Sequence, residues 1–120
     1  MFDADAIAAA YLAAWNAKDP AVRRAAVAKA WSETGSYLDP LMEGEGHDAL
    51  DAMIAAIQAQ VPCMQCSLRG RPESHHDRIR FSWSLTTEDG TAVAHGTDFA
   101  TIAEDGRLQA VTGFLDQGVA

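Results

Sequence analysis

Few residues in this 120-residue chain combine a reactive side chain with a suggestive spacing. Cys63-Met-Gln-Cys66 has the CxxC spacing of a redox dithiol or of half a zinc site. It follows a helix instead of preceding one and has no second pair, so neither role is expected. His75-His76-Asp77 is ligand-like in type, but it falls at a turn beside Pro72 and Ser74, and solvated loop residues are the better reading. His47, next to Asp48 at the start of a helix, should face solvent. None of the four histidines has a spacing that compels a metal, and no metal site is expected. Arg69, Arg71, Arg78 and Arg80 share strand parity. In so acidic a chain they should pair with Glu73, Asp77 and Asp116 or belong to a subunit contact, not bind an anion. Asp98 stands apart. Alternation puts it on one strand face with Ala92, Ala94, Gly96 and Ala100, with His95 on the other face. A carboxyl among small apolar neighbours has its pKa raised and has room for a ligand beside it.

The elements that must position these groups follow from periodicity. Residues 3 to about 17 read as a helix, with Ile7, Ala10, Tyr11, Ala14 and Trp15 on one face. Asp19 is a suitable N-cap and Pro20 a suitable first residue for a second helix. That helix should run to about Trp31 and bury Val22, Ala26, Val27 and Ala30 or Trp31, with Gly35 breaking it. Ser36–Pro40 is a short extended piece, because proline pushes the preceding Asp39 out of the helical region. Gly44 and Gly46 mark a loop. A third helix spans about His47 to Gln60, with Leu50, Met53, Ile54 and Ile57 on its apolar face. The period then changes to two. Strands are expected over 64–71, 78–87, 91–102 and 107–116, with Asp-Gly turns at 89–90 and 105–106. The order predicts an α+β fold, helices covering one face of a meandering antiparallel sheet.

Composition sets the outer limits. The formal charge is −8, which argues against a nucleic-acid or anionic-membrane partner. No apolar run approaches the ~20 residues of a membrane span. The start, MFDADAIAAAYL, is acidic where an export signal would be basic. A cytoplasmic domain is expected. Of the 24 alanines, 13 precede residue 31, so the bulkier core residues come from the later strands.

Several segments carry a family likeness: Tyr-Leu-Ala-Ala-Trp-Asn-Ala-Lys-Asp at 11–19, Tyr-Leu-Asp-Pro at 37–40 before a glycine loop, and Gly-Thr-Asp-Phe at 96–99 followed by Gly-Arg-Leu and Thr-Gly-Phe-Leu-Asp. In these motifs and in element order the chain resembles nuclear-transport-factor-two-like domains over nearly its whole length. That superfamily includes ketosteroid isomerases, SnoaL-like polyketide cyclases, scytalone dehydratase and limonene epoxide hydrolase. The resemblance implies one domain over 1–120. Its fold would be a cone-shaped curved antiparallel sheet packed with three N-terminal helices around an apolar pocket. A homodimer through the outer sheet face is also implied.

Compared with ketosteroid isomerases, the resemblance implies three site residues. Asp39 would be the general base, with Tyr11 and a protonated Asp98 as donors to an oxyanion. Trp15, Met53, Ile57, Phe81, Trp83, Leu85, Val111, Gly113 and Leu115 would line the pocket. Each of the three polar residues also has a plainer reading. Tyr11 is then a core tyrosine, Asp39 a turn cap before Pro40, and Asp98 a carboxylate bonded to backbone or paired with arginine. The expectation is a small-molecule enzyme or binder, a proton-transfer isomerase or cyclase acting on an apolar carbonyl compound without metal or organic cofactor. The alternatives are a ligand carrier with the same pocket, or a dimerisation module whose cavity is filled by Trp15, Trp83 and Met53.

Overall fold

Two aspartates start the first two helices. The Asp3 carboxylate accepts from the Ala6 N–H at 3.1 Å and the Asp19 carboxylate from the Val22 N–H at 3.0 Å, each satisfying a backbone donor that the helix itself cannot. The computed structural model describes residues 2–116. Helix α1 spans Ala4–Asn16, α2 Pro20–Ala30 and α3 His47–Gln60. The strands are β1 Trp31–Leu38, β2 Glu43–Glu45, β3 Gln65–His75, β4 Arg78–Thr86, β5 Ala92–Ile102 and β6 Leu108–Leu115.

The six strands form one curved sheet in the order β2-β1-β6-β5-β4-β3. Strands β3 to β6 are the expected antiparallel meander, turning at residues 76–77, 87–91 and 103–107. Gly90 and Gly106 adopt left-handed backbone at their turns (φ 85° and 88°), as the Asp-Gly dipeptides predict. The sheet is nevertheless mixed, because β1 runs parallel to β6. Parallel neighbours need a long crossover, and here everything from β2 to β5 supplies it.

The region after α2 differs most from expectation. The second helix stops at Ala30, and Trp31 already belongs to β1. The register of β1 on β6 slips between Trp31 and Ser36. There the backbone folds back over the fully buried Trp31. A β-carbon on Gly35 would stand 2.7 Å from the indole and 3.0 Å from the Ser32 carbonyl oxygen. Gly35 therefore permits a bulge instead of ending a helix. The expected loop at Gly44 is the edge strand β2, paired with 36–38. Val22 is exposed, not buried; the inward residue of that turn is Arg23, bonded to Asp51 at 2.9 Å and Gln58 at 3.1 Å. His47 does not simply face solvent: its Nε2 lies 2.9 Å from the Trp31 carbonyl oxygen.

The helices pack on one face of the sheet. The core includes Trp31, Val27, Leu50, Ile54, Phe81, Leu108 and Val111. Tyr11 sits in its middle, with ring centroids 5.3 Å from Trp31 and 5.0 Å from Phe81. On the outer face Arg80 pairs with Glu73, Arg78 with Asp77, and Arg69 with Asp116 at 3.9 Å. These are the three partners expected for the arginine stripe. No helix is long and apolar enough to cross a membrane among the described residues.

Candidate functional site

Helix periodicity puts Tyr11 and Trp15 one turn apart on the inward face of α1, with ring centroids 6.1 Å apart. Strand parity puts Tyr37 and Asp39 on one side of the chain at the end of β1. In β5, Asp98 lies opposite Phe81 on β4 and Gly113 on β6. One register step away, Gly96 lies opposite Trp83 and Leu115. Of these groups Tyr11, Trp15, Tyr37, Asp39, Trp83, Asp98 and Leu115 converge on one apolar cavity of about 260 Å³ between α1, α3 and the sheet.

Two tyrosine–aspartate pairs face this space. The Tyr11 hydroxyl lies 2.6 Å from Asp98 Oδ2, and the Tyr37 hydroxyl 2.6 Å from Asp39 Oδ2. The two pairs meet over Gly113. A β-carbon there would stand 2.8 Å from Asp98 Oδ1, 2.9 Å from the Tyr37 hydroxyl and 3.3 Å from Asp39 Cβ. Only the missing side chain lets both pairs occupy that corner.

The two carboxyls are in opposite situations. Asp39 accepts from Tyr37 and from the backbone N–H groups of Leu41 and Met42, at 2.8 and 2.9 Å. It therefore caps the turn after β1 while lining the cavity. Asp98 is 1% exposed, and its Oδ1 has no hydrogen-bond partner among the described residues. Burial pushes its carboxyl up to about 6, against the opposing pull of the Tyr11 hydroxyl and the nearby Trp83 indole; the charge of Asp39 raises it further. Tyr11 and Tyr37 are both held well above the ordinary tyrosine value, first by burial and then by the charge of Asp98. The Trp15 indole opposes the rise at Tyr11, yet its buried Nε1 completes no hydrogen bond. The cavity thus has one buried donor and one buried acceptor without partners among the described residues. That combination suits a ligand oxygen together with a proton that can be taken or given.

The sequence model of the SnoaL-like domain matches residues 8–111. The chain belongs to the SnoaL-like domain family. This SnoaL-like domain is 45% identical to a solved SnoaL-like family protein from Agrobacterium tumefaciens str. C58 that is provisionally called an isomerase. The match covers 94% of this chain and 97% of that one, with a TM-score of 0.90. A Sinorhizobium meliloti protein provisionally called a polyketide cyclase matches at 15% identity and TM-score 0.70, over 90% and 93% of the two chains. A de novo designed protein with a curved sheet matches at 10% identity and TM-score 0.70, over 94% and 84%. The last two likenesses show the fold alone. No curated protein matches the sequence.

Of the residues that sequence reading gathered for the SnoaL-like domain, Tyr11, Asp39 and Asp98 all line the cavity, as do Trp15, Ile57, Trp83, Leu85 and Leu115. Gly113 underlies the polar corner. Met53, Phe81 and Val111 do not lie on the wall but in the core behind it. Trp15 and Trp83 are walls, not plugs. Tyr37 is the polar residue that sequence reading left out, although its shared parity with Asp39 is a legible signal.

Tyr11→Phe should raise the Asp98 pKa further. The lost hydrogen bond favours the carboxylate, and a bond to a charged group is worth ~1.5–3 kcal/mol, or about one to two pKa units. Carboxyl NMR titration of Asp98 in both proteins checks the direction. The CxxC pair splits by environment: Cys63 is exposed, while burial pushes the Cys66 thiol up to about 12. A maleimide at pH 7.5 should therefore label one thiol in the folded protein and two in denaturant, with peptide mapping assigning the first to Cys63. Among the described residues no group of three His, Cys, Asp or Glu side chains is placed to hold a metal ion.

Proposed function

We propose that this SnoaL-like domain is a cofactor-free proton-transfer enzyme, an isomerase or cyclase, acting on an apolar carbonyl compound, with Asp98 carrying the proton. The observation that carries this reading is the pair of buried polar atoms without partners among the described residues, Asp98 Oδ1 and Trp15 Nε1, at one apolar cavity. The isomerase and cyclase names given to structural neighbours support it as analogy. The roles differ from those implied by ketosteroid isomerases. Asp39 already accepts three hydrogen bonds, so both of its oxygens are engaged. Asp98 has a free oxygen and a pKa near the operating range, as a general base requires.

The step balances within the chain and the ligand. Asp98 Oδ1 takes a proton from the carbon next to the carbonyl. The C–H electron pair becomes the enolate double bond. The negative charge moves to oxygen, which accepts from the Trp15 indole N–H. In an isomerase Asp98 returns the proton to another carbon. In a cyclase the enolate carbon attacks a second carbonyl, and the resulting alkoxide takes the proton back.

Deuterium incorporation next to the carbonyl of cyclic ketones of one to four rings, followed by proton NMR in D₂O, tests this. The wild type should accelerate exchange for at least one ketone, with a rate that rises through about pH 6 as Asp98 ionises. Asp98→Asn should not. Exchange that persists in Asp98→Asn sinks the assignment.

The same reading places the contact with a second copy on the outer sheet face. There Phe99 and Phe114 stack edge to face while 47% and 54% exposed. Sedimentation velocity should show a dimer that Phe114→Lys dissociates.

A further inference from the structure

The cavity wall sorts by polarity from floor to rim. Its floor holds Tyr11, Trp15, Tyr37 and Asp98, all nearly inaccessible to solvent. Its rim holds Leu41, Val93 and Leu115, which are 74%, 37% and 41% exposed. Among the described residues no lysine, arginine or histidine lines it, while two carboxyls do. We infer, resting on the proton-transfer reading, that the ligand is a neutral ketone or enone of one or two rings that enters oxygen first and keeps its hydrocarbon end under the rim.

Charge, polarity and size each narrow the choice. An anionic ligand would lose its hydration beside two carboxyls with no cation to compensate, in a chain of net charge −8. An ammonium would suit Asp98 and the aromatic rings but would leave the Trp15 N–H unpaired. A carbonyl oxygen accepts from that N–H and brings its acidic α-carbon toward Asp98 Oδ1. As for size, an apolar cavity of about 150 Å³ is known to take one benzene ring. A cavity of about 260 Å³ therefore has room for a second ring, and a four-ring ligand would have to extend past the exposed rim. The polarity gradient sets the direction: among the described residues the unpartnered buried polar atoms are at the floor, while the exposed rim residues are aliphatic and the one carboxylate near them, Asp39, is already saturated by Tyr37, Leu41 and Met42.

A matched series tests all three, using calorimetry on the wild-type protein at pH 7.5. The probes are 2-tetralone, tetralin, 2-aminotetralin, tetralin-2-carboxylate and the four-ring androst-4-ene-3,17-dione. We expect 2-tetralone to bind about tenfold more tightly than tetralin, the factor one buried hydrogen bond supplies. The amine, the carboxylate and the steroid should each bind more weakly than 2-tetralone. Equal binding of tetralin overturns the oxygen-first orientation. An amine or carboxylate that matches the ketone overturns the neutral class, and a tighter steroid overturns the size limit. Asp98-dependent exchange on a larger ketone, with no binding of 2-tetralone, overturns this inference and leaves the proton-transfer reading standing. Absence of both exchange and binding removes the two together.

Discussion

Asp98→Asn should stop proton transfer and, at pH 7.5, make the protein more stable. The two effects come from one cause. Burial raises the Asp98 carboxyl from 3.8 to about 6, so folding opposes its ionised form. Linkage gives the sign. Below the unfolded value the carboxyl is protonated in both states and costs nothing. As pH rises from about 3.8 to about 6 the unfolded chain releases its proton first, and stability falls. Above about 6 the deficit is constant. A shift of about two units corresponds to ~3 kcal/mol. An asparagine cannot ionise and escapes that deficit, but its own amide N–H groups lack partners, at a cost of ~1–2 kcal/mol. The net gain at pH 7.5 should be about 1–2 kcal/mol, several degrees in Tm for a domain of this size. It should vanish near about pH 5 and reverse toward pH 4, where wild-type Asp98 is protonated and only the cost of the asparagine amide remains. Turnover should drop by ~10²–10⁴, the usual contribution of a positioned acid–base group. Thermal melts of both proteins from pH 4 to 8 check the stability half. If Asp98 were only a structural carboxylate held by Tyr11, the substitution would lower Tm at pH 7.5. That single result would falsify the base assignment.

Much of the fold is legible because local rules and global architecture agree. Asp3 and Asp19 cap helices as their types predict. The two Asp-Gly turns close hairpins, and alternation in β4 and β5 assigns the inward faces correctly. The failures cluster where tertiary packing overrides local preference. Trp31 continues the helical pattern of α2, yet its indole is needed in the core, and Gly35 allows the bulge that puts it there. Parallel pairing of β1 with β6 leaves no local trace, since the two strands are separated by most of the chain. Arg23 lies on a helix face that hydrophobicity alone assigns to solvent; its burial depends on Asp51 and Gln58, which lie far away in sequence.

The candidate site is legible to a different depth. The small-residue face around Asp98 follows from strand parity, and its raised pKa is the consequence expected of such a face. What parity cannot give is hydrogen-bond saturation. Asp39 and Asp98 are the same residue type, both in the cavity wall, and they differ in burial and in what they accept. Asp39 is saturated by Tyr37 and by two backbone N–H groups that exist because of the turn after β1. Asp98 keeps a free oxygen because the residue facing it is Gly113. Nor can apolar pattern separate wall from core: Phe81 and Trp83 share a strand face, and only cross-strand register puts one against Asp98 and the other over Gly96.

That last placement gives the second large effect. Gly96→Ala should close the cavity. Trp83 lies flat against the Gly96 backbone, so a β-carbon would overlap the indole and also stand 2.9 Å from the Phe114 carbonyl oxygen. The carbonyl is held in the β5–β6 ladder by Thr97 opposite Phe114, so the side chain must be the part that moves. Trp83 has β4 behind it and the cavity beside it, and the cavity is where it can go. Overpacking of this kind costs ~1–3 kcal/mol, and the displaced indole would occupy ligand space. We expect Gly96→Ala to lower stability by about that amount and to weaken 2-tetralone binding at least about tenfold. The combination with Trp83→Leu discriminates the mechanism. If the clash is with the indole, the double variant should recover stability relative to the sum of the singles, a coupling of ~1–3 kcal/mol in a double-mutant cycle. If the strain lies in the Phe114 backbone contact, the two changes will add, and Trp83 is not what Gly96 accommodates.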